Sequence, residues 1–557
     1  MDTTKNGAGT IDTSGTTKAT LPLTPVEGAV ITPRKQQLKV VPMVGSVDLM
    51  QISQTSVKDF AGEMKSLVDV LFVNPPSPDG EVFIRDIHRV GRRSREKMIW
   101  PQTELAGLAA VMEDVGYTTE IIDCIAEDMD WPTFQAMLEH WRPRFMVTNV
   151  TAPTLKNDMT TTFLAKPLGS TTIAIGSHVT PMAYETLNDY PSLDVVIRHE
   201  PEYTLREIAQ KLDAGETLHG VQGCVFRHQG ELVANTDRQF IPNLDDLPIP
   251  LYHKLPLDKY RIPMIKGPYS FVVTSRGCPA GCRFCIKHVM WQNTVRSHSA
   301  ERILEEMKVL ASLGVTNIHF YADLFTVDRQ VVIDLCKLII EDGTKFRLTS
   351  NSRVDFIDEE MLEWMAKAGF WMLSWGLESG SMDVLKRMRK GINFDKTRKA
   401  LEASNRFGIK NWGYFIIGMP GETVESINET IAFAKSLPLT LALFHIAVPY
   451  PGTPFYYEAV QNGWIQASRW EDLDMDRSTV LNYPDLTAQE LEYHAKRAFR
   501  EWALRPGPAL TYLRSMNSRA TVKSGLSLGL EHLKWIVSAR GGPKTVERAR
   551  PSEVTPT

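Results

Sequence analysis

Cys278-Pro279-Ala280-Gly281-Cys282-Arg283-Phe284-Cys285 places three cysteines within eight residues, directly after the apolar, β-branched run Phe271–Thr274. The chain has six cysteines, and the other three are isolated in apolar contexts typical of buried, inert thiols: Cys124, Cys224 and Cys336. A 4Fe–4S cluster usually takes four cysteine ligands. Three thiolates would therefore hold three irons and leave the fourth iron open to a substrate or a cofactor.

Two other interpretations of the three cysteines are weaker. A structural zinc site would need a further ligand, for which His288 is the candidate, three residues after Cys285. A disulfide would need an oxidising compartment, and nothing in the sequence suggests secretion.

The CxxxCxxC spacing, with an aromatic residue before the last cysteine, closely resembles that of the radical S-adenosylmethionine (SAM) enzymes. In that family the open iron chelates the methionyl amine and carboxylate of SAM, and one electron cleaves the sulfonium to a 5′-deoxyadenosyl radical. The resemblance implies that Cys278, Cys282 and Cys285 are the metal ligands and the catalytic centre.

Length and composition indicate a soluble globular protein of two or three domains. The chain has 557 residues, of which 43% are hydrophobic and 23% are charged. A formal net charge of −4 over this length predicts no general attraction to nucleic acid. No apolar stretch approaches the roughly 20 residues that span a bilayer, and no secretory signal is evident. We therefore expect a cytoplasmic protein without predicted membrane contact.

The hydrophobic pattern divides the chain into five segments. Residues 1–66 resemble a disordered leader, and residues 67–215 alternate strands with helices, which predicts a doubly wound parallel sheet. Residues 216–265 are rich in Pro, Asp and Leu and suggest a linker. Six βα units in residues 266–465 predict a partial (β/α)6 barrel. Residues 466–557 are predicted to be helical with a basic tail, in which an apolar stripe would pack on the barrel or lie at an interface: Leu526, Leu530, Leu533 and Val537.

An N-terminal α/β domain before such a barrel resembles the cobalamin-binding subclass of radical SAM enzymes. Three landmarks follow predicted strands, at the edge where open α/β sheets bind ligands: Asn74-Pro75-Pro76, Gly176-Ser177-His178 and Glu200-Pro201-Glu202. The resemblance implies that these loops cradle the corrin and its nucleotide tail. Cobalamin is therefore the second expected cofactor, with Asn74, Gly176, Ser177, His178 and Glu200 around it.

The segment Asp86-Ile87-His88-Arg89-Val90-Gly91 matches the DxHxxG pattern of cobalamin proteins. In that pattern the histidine is the lower cobalt ligand and the aspartate orients it, as outer carboxylates do for metal-bound imidazoles. The surrounding arginines favour a different interpretation, in which His88 is solvated or faces the substrate from a basic surface loop.

Polar residues at the predicted ends of the barrel strands match positions that contact SAM in the family. The resemblance implies that Asp323 supports the methionyl amine, that Asn351 and Arg353 reach the ribose and carboxylate, and that Glu378 contacts the ribose or methionyl group. Gly418 would belong to the adenine-side loop. Each of these residues also has an ordinary explanation in helix capping or turn formation.

Several aromatic residues fall near strand ends or inside the predicted barrel: Trp291, Trp371, Trp375, Trp412, Tyr414 and Phe444. They would stack on a large flat substrate or simply fill the barrel core. His288 and His445 are candidate axial partners of a substrate metal, although lone histidines are more often structural.

The layout resembles the anaerobic magnesium-protoporphyrin IX monomethyl ester cyclases of bacteriochlorophyll synthesis, through Phe320–Phe325 and the segment Phe499–Pro506. This implies oxidative ring closure on a tetrapyrrole, with an electron donor such as ferredoxin or flavodoxin. The alternatives are a cobalamin-dependent radical SAM C-methyltransferase and a cofactor-binding sensor without turnover.

Overall fold

The computed structural model describes residues 67–508, except residues 79, 87, 89, 95, 96, 263, 264, 266, 468 and 476–479. The predicted leader and the apolar stripe of the basic tail lie outside the described residues. Within the described range, no helix is both long enough and apolar enough to cross a membrane.

The N-terminal part forms a seven-stranded sheet in the order β4-β1-β5-β6-β7-β8-β9. Its first five strands are parallel in the doubly wound order, with helices between them, as predicted. The elements are β1 (Val70–Asn74), a small hairpin of β2 (Phe83–Ile84) and β3 (Arg92–Arg93), α1 (Thr103–Glu113), β4 (Thr119–Asp123), α2 (Trp131–Trp141), β5 (Phe145–Asn149), α3 (Leu155–Ala165), β6 (Thr171–Ile175), α4 (Ala183–Asp189), β7 (Val195–Ile197), α5 (Glu202–Asp213), β8 (Cys224–His228) and β9 (Glu231–Ala234).

The prediction of a linker over residues 216–265 is wrong for its first part. β8 and β9 form an antiparallel hairpin that extends the N-terminal sheet beyond β7. The hairpin turns at Gln229-Gly230, two residues with positive φ, a backbone geometry that suits a tight two-residue turn. The prolines and aspartates of this region come after the hairpin in the chain. They dominate the composition of residues 216–265, so the two short strands could not be recognised from that composition.

A second seven-stranded sheet follows in the order β11-β10-β12-β13-β14-β15-β16. Six of its strands are parallel and β11 is antiparallel to β10, which confirms the partial (β/α)6 barrel. The elements are β10 (Tyr269–Arg276), α6 (Lys287–Trp291), β11 (Arg296–Ser297), α7 (Ala300–Ser312), β12 (Asn317–Ala322), α8 (Arg329–Asp342), β13 (Arg347–Ser352), α9 (Glu359–Ala368), β14 (Phe370–Glu378), α10 (Met382–Arg387), α11 (Phe394–Arg406), β15 (Lys410–Ile417), α12 (Val424–Ser436), β16 (Leu441–Ile446), α13 (Pro454–Gln461) and α14 (Ala488–Ala503), which packs on β16.

The cysteine segment leaves the carboxyl end of β10 through a turn at Gly277. The φ of Gly277 is +88°, and a Cβ at this position would lie 1.9 Å from the carbonyl oxygen of Thr294. Only glycine fits here, since any side chain would both strain the backbone and collide with it. Asp323, just after β12, accepts a hydrogen bond of 2.8 Å from the Gly277 amide. The turn and this bond fix where the cysteines begin.

The two sheets are joined by three buried charged residues and one partly buried arginine, here called the interlayer ion cluster: Glu200, Glu202, Arg276 and Arg296. Arg276 lies at the end of β10, and its Nη1 is 2.7 Å from Glu200 Oε1 while its Nη2 is 2.5 Å from Glu202 Oε1. Arg296, on β11, lies 2.8 Å from the same Glu200 oxygen. Burial alone would raise the pKa of Glu200, but the two arginines outweigh burial and lower it. Glu200 is therefore an anion that holds the sheets together.

We expect the substitution Glu200→Gln to destabilise the protein by about 3 kcal/mol, because it leaves buried guanidinium groups without full compensation. Urea unfolding of the full chain measures the change. The matched control is Glu363→Gln, which removes an exposed partner of Lys367 and should change stability little. Equal losses in the two variants would contradict this role.

The same substitution should change the response to acid. Since the folded-state pKa of Glu200 lies below its ordinary value of 4.5, the ion cluster stabilises the fold above that pH. The stabilisation is lost as the pH falls through the lowered pKa. Glu200→Gln should therefore lose less stability between pH 5 and pH 3 than the wild type, as measured by urea unfolding at each pH.

Candidate active site

A cavity of about 390 Å³ lies inside the barrel and reaches the cysteine segment. Alternate residues of successive strands face it, as the two-residue period of a strand requires. The cavity brings together seven residues singled out in the sequence: Cys278, Cys282, Cys285, Asp323, Asn351, Arg353 and Glu378. Loops of the N-terminal part cover its other side, through Ile84, Asp86, Val90, Arg92, Met98 and Trp100.

The three cysteines lie in a positively charged environment. The Nη1 atom of Arg353 is 3.6 Å from Cys282 Sγ, and Asp355 holds the guanidinium through two hydrogen bonds of 2.9 and 2.7 Å. The buried Lys287 donates to the carbonyl oxygen of Cys278. Burial raises the pKa of Cys285 to about 12, so a metal ion would have to displace its proton. Cationic neighbours favour the anionic thiolates that a cluster needs.

No three His, Cys, Asp or Glu side chains of the described residues converge as the ligands of a single metal ion would. A cubane does not require such convergence, because each cysteine binds a different iron.

Asp323 and Glu378 have protein partners in addition to lining the cavity. Asp323 accepts the Gly277 amide, and Glu378 Oε1 is 2.8 Å from Lys390 Nζ. Both members of the second pair are buried. Glu378 has a φ of +60°, a strained conformation for a residue with a side chain, which is often found at functional sites. The wall of the cavity thus presents a fixed anion and a fixed cation side by side.

Gly418 lies away from these residues. It follows β15 with a φ of +99°, and its amide donates to the buried carboxylate of Glu422. The hydroxyl of Tyr483 donates to the Gly418 carbonyl at 2.7 Å. Burial raises the pKa of Glu422 to about 7. Gly418 is not among the residues that line the barrel cavity, so its observed contacts are those of a tight structural turn.

Asn74 and Glu200, two of the residues expected at cobalamin, are occupied by protein partners. The amide of Asn74 donates to Asp123 at 2.7 Å and accepts from Arg85 at 3.3 Å. Glu200 belongs to the interlayer ion cluster. The sequence placed both correctly at strand ends but did not show the partners, which come from distant segments.

His88 is only 5% exposed, so the interpretation of a solvated histidine is wrong. Its Nδ1 contacts the carboxylate of Glu104 on α1, and its ring packs 4.4 Å from that of Trp291. Asp86 accepts the backbone amide of His88 at 3.0 Å rather than a ring nitrogen. Burial and then the charge of Arg276 lower the pKa of His88 to about 4. Arg89 and Arg95 of the same loop lie outside the described residues.

The landmark Gly176-Ser177-His178 differs from Asn74 and Glu200, because buried polar atoms there have no hydrogen-bond partners among the described residues. Gly176 has a φ of +126°, and a Cβ would lie 2.5 Å from the Val150 carbonyl. In the described part of the chain, neither ring nitrogen of the buried His178 and neither side-chain polar atom of the buried Asn149 has a hydrogen-bond partner. Such atoms are costly unless a ligand or water satisfies them. Ser177 is also buried beside them.

The aromatic candidates divide between the cavity and the protein core. Trp412, Tyr414 and His445 line the cavity, whereas Trp291, Trp371, Trp375 and Phe444 do not. His288 is also absent from its lining. Sequence reasoning missed other lining residues that the alternation along β10 and β12 would have shown: Phe271, His319 and Tyr321, together with the buried Lys287 and Lys390.

Residues 272–434 match the Radical SAM superfamily, which covers the barrel from β10 to α12. The chain is also 31% identical over 409 residues to an uncharacterised methyltransferase of Pyrococcus horikoshii, covering 73% of this chain and 88% of that protein. The chain belongs to the radical SAM superfamily. It is therefore a radical SAM enzyme, as the cysteine spacing predicts.

Two further similarities extend beyond the barrel. The anaerobic magnesium-protoporphyrin IX monomethyl ester cyclase of Rubrivivax gelatinosus is 25% identical over 64% of this chain and 66% of its own length. The structure of TsrM, a radical SAM methyltransferase from Kitasatospora setae with cobalamin and a 4Fe–4S cluster bound, shares the fold. It has a TM-score of 0.58 and 16% identity, over 83% of this chain and 91% of TsrM.

Replacing Cys282 by alanine should abolish stable cluster binding, because two thiolates cannot hold the cubane. Iron and sulfide analysis after anaerobic reconstitution should find about four irons per wild-type chain. The variant should retain only a small fraction of that iron. Cys124→Ala, at a buried thiol on the N-terminal sheet, is the control and should keep its iron. Full iron retention by Cys282→Ala would contradict the assignment.

Proposed function

We propose that this chain is a cobalamin-dependent radical SAM methyltransferase that acts on an unactivated carbon of a small molecule. The observation that carries the proposal is the barrel cavity, whose cysteine end has the ligand set for a cluster. Outside the lining of this cavity, the carboxyl edge of the N-terminal sheet has buried donors and acceptors without partners among the described residues. When bound, the cluster and SAM supply one-electron chemistry at a C–H bond, and cobalamin supplies the methyl group.

At the cluster end, Cys278, Cys282 and Cys285 would hold three irons. Arg353 would stabilise the thiolates electrostatically, and Asp355 keeps its guanidinium oriented. The neighbouring Glu378 and Lys390 complement a zwitterion such as the amino acid part of SAM. Asn351 also lines this end and has an amide available for the ribose or carboxylate.

At the N-terminal sheet, Gly176 and His178 fit a cobalamin tail better than Asn74 and Glu200 do, together with Asn149, which the sequence analysis did not single out. Gly176 permits close approach of the backbone. The amide of Asn149 and the imidazole of His178 offer polar atoms that the described residues leave unsatisfied. The proposal gives Asn74, Glu200 and Gly418 structural roles. His88 stays a candidate cobalt ligand, since Glu104 contacts its Nδ1 while its buried Nε2 has no hydrogen-bond partner among the described residues.

Methyl transfer is favoured over cyclisation by the relatives. The protein that is 31% identical and covered over 88% of its length is named a methyltransferase, whereas the cyclase is 25% identical and covered over 66%. The cyclase remains the second candidate because its similarity also includes the N-terminal part. An acidic one-electron donor of the flavodoxin or ferredoxin kind completes either reaction.

The reaction type is tested with SAM whose methyl carbon is isotopically labelled. The full chain, reconstituted anaerobically with iron, sulfide and hydroxocobalamin, is incubated with cell extract and a reductant, and products are analysed by mass spectrometry. We expect 5′-deoxyadenosine and a product that carries the label. An unlabelled product with a new ring would instead support the cyclase, and the absence of 5′-deoxyadenosine with every extract would favour a sensor.

Cobalamin binding should depend on His178. We expect His178→Ala to weaken hydroxocobalamin binding about tenfold, since a buried hydrogen bond to the ligand contributes about 1 kcal/mol or more. Absorbance titration measures the dissociation constant without requiring turnover. His219→Ala, at an exposed histidine beside the same sheet, is the control. Unchanged affinity in His178→Ala would place the tail elsewhere.

A further inference from the structure

Three rings form a continuous stack on one wall of the barrel cavity, here called the aromatic ladder: Trp412, Tyr414 and His445. The centroids of Trp412 and Tyr414 are 5.4 Å apart with an interplanar angle of 28°, and those of Tyr414 and His445 are 5.9 Å apart at 24°. All three lie on β15 and β16, at one side of the open barrel. All three residues line the cavity.

A second pair of stacked rings lies at the other side of the barrel sheet. Phe271 on β10 and Tyr321 on β12 have centroids 5.0 Å apart and are nearly parallel, at 11°. Trp100, from the N-terminal part, meets Phe271 edge-on at 4.6 Å. Trp100 comes from outside the barrel and restrains the Phe271 ring. The Phe271–Tyr321 pair therefore forms a second aromatic wall of the cavity, which the N-terminal part also contacts.

The strands between these walls line the cavity with small and with larger side chains. Thr349 on β13 and Ser374 and Gly376 on β14 are small, whereas Asn351 on β13 and Met372 on β14 are larger. The part of the cavity between the two aromatic walls is here called the slot. In contrast, Trp375 donates to Asn411 and is fully buried, and Phe444 stacks on Phe415, so these aromatics do serve the core.

The indole nitrogen of Trp412 needs a hydrogen-bond acceptor. Within the described residues this buried N–H has no hydrogen-bond partner, although Trp412 lines the cavity. An indole nitrogen only donates, and an unsatisfied buried donor is costly. The Glu378–Lys390 ion pair lies close to the ladder, because Gly376 pairs with Tyr414 and a Cβ at Gly376 would lie 2.6 Å from Glu378 Oε1.

We propose that the slot binds a planar, π-rich ring of the substrate, which stacks on the aromatic ladder and accepts a hydrogen bond from Trp412 Nε1. This rests on the proposed function and adds to it the substrate class, an aromatic or heteroaromatic compound with a ring acceptor atom. Trp412 is the residue that sets this specificity.

The test measures binding by isothermal titration calorimetry to the full chain reconstituted with its cluster and hydroxocobalamin. Three neutral probes separate the contribution of ring stacking to binding from the contribution of the hydrogen bond. Quinoline is planar with an acceptor nitrogen, N-methylindole is planar without one, and 1-decalone is a puckered bicycle with a carbonyl acceptor. We expect quinoline to bind most tightly and 1-decalone most weakly. Equal binding of quinoline and 1-decalone, or no binding of any probe, would overturn the proposal.

Two variants assign the effect to Trp412. Trp412→Leu should weaken quinoline binding about tenfold, because a stacking face and a donor are both lost. Trp412→Phe keeps a ring, so it should remove the advantage of quinoline over N-methylindole while both still bind better than 1-decalone. The control is Trp371→Leu, at a tryptophan that packs against Arg347 and Lys410 outside the cavity, and it should bind all probes as the wild type does. An unchanged quinoline advantage in Trp412→Phe would contradict the hydrogen bond and overturn the proposal.

Reductive cleavage of SAM by the same preparations separates this inference from the proposed function. Formation of 5′-deoxyadenosine without the predicted probe preference would overturn the substrate class alone. The predicted probe preference without 5′-deoxyadenosine would leave the slot intact and overturn the radical function.

Discussion

The interlayer ion cluster is the interaction on which the site depends. Arg276 is the last residue of β10, and the next residue, Gly277, begins the turn into the cysteines. Glu200 and Glu202 follow β7 of the other sheet, so their bonds to Arg276 fix the start of the cysteine segment relative to the N-terminal part. Burying charges costs free energy that only good geometry and further hydrogen bonds recover. Here Arg296 and the backbone amide of Ile241 supply those contacts to Glu200. Because this contact sets the position of the N-terminal part against the barrel, a single cavity can be lined by the barrel strands and by the segment from Ile84 to Trp100.

Within that cavity, charged and aromatic side chains lie on neighbouring strands, since Gly376, beside the Glu378–Lys390 pair, is the register partner of Tyr414. Arg353, Lys287 and the Glu378–Lys390 pair surround the cysteine end, where anionic thiolates and a zwitterionic cofactor need compensation. The aromatic ladder and the Phe271–Tyr321 pair line the walls. The segment that carries Ile84, Val90 and Met98 covers the cavity and also contributes Asp86 and Arg92 to its lining.

The positions of individual residues follow from the sequence where a strand end and a chemical type are enough to place them, whereas their roles stay predictions. Asp323, Asn351, Arg353 and Glu378 all line the cavity with the cysteines, because the carboxyl ends of parallel strands meet at one edge of the sheet. A position at a strand end does not by itself show that a residue is free to bind a ligand. Asn74 and Glu200 occupy equivalent edges, yet Arg85, Asp123, Arg276 and Arg296 engage them. A sequence shows that a polar residue reaches an edge, but it does not show whether a partner from a remote segment already pairs with it.

From the sequence alone it follows that three cysteines share one loop, that strands alternate with helices in two series, and that the second series is too short for a closed barrel. These features are local, because they depend on spacing and on the periodicity of apolar residues. Only the tertiary structure shows that 216–265 contains the β8–β9 hairpin, that His88 is buried against Glu104 and Trp291, and that Trp412 faces the cavity while Trp375 faces the core. Each of these depends on contacts between residues far apart in the chain, whose pairing is decided by the packing of the two sheets and not by the sequence near either residue.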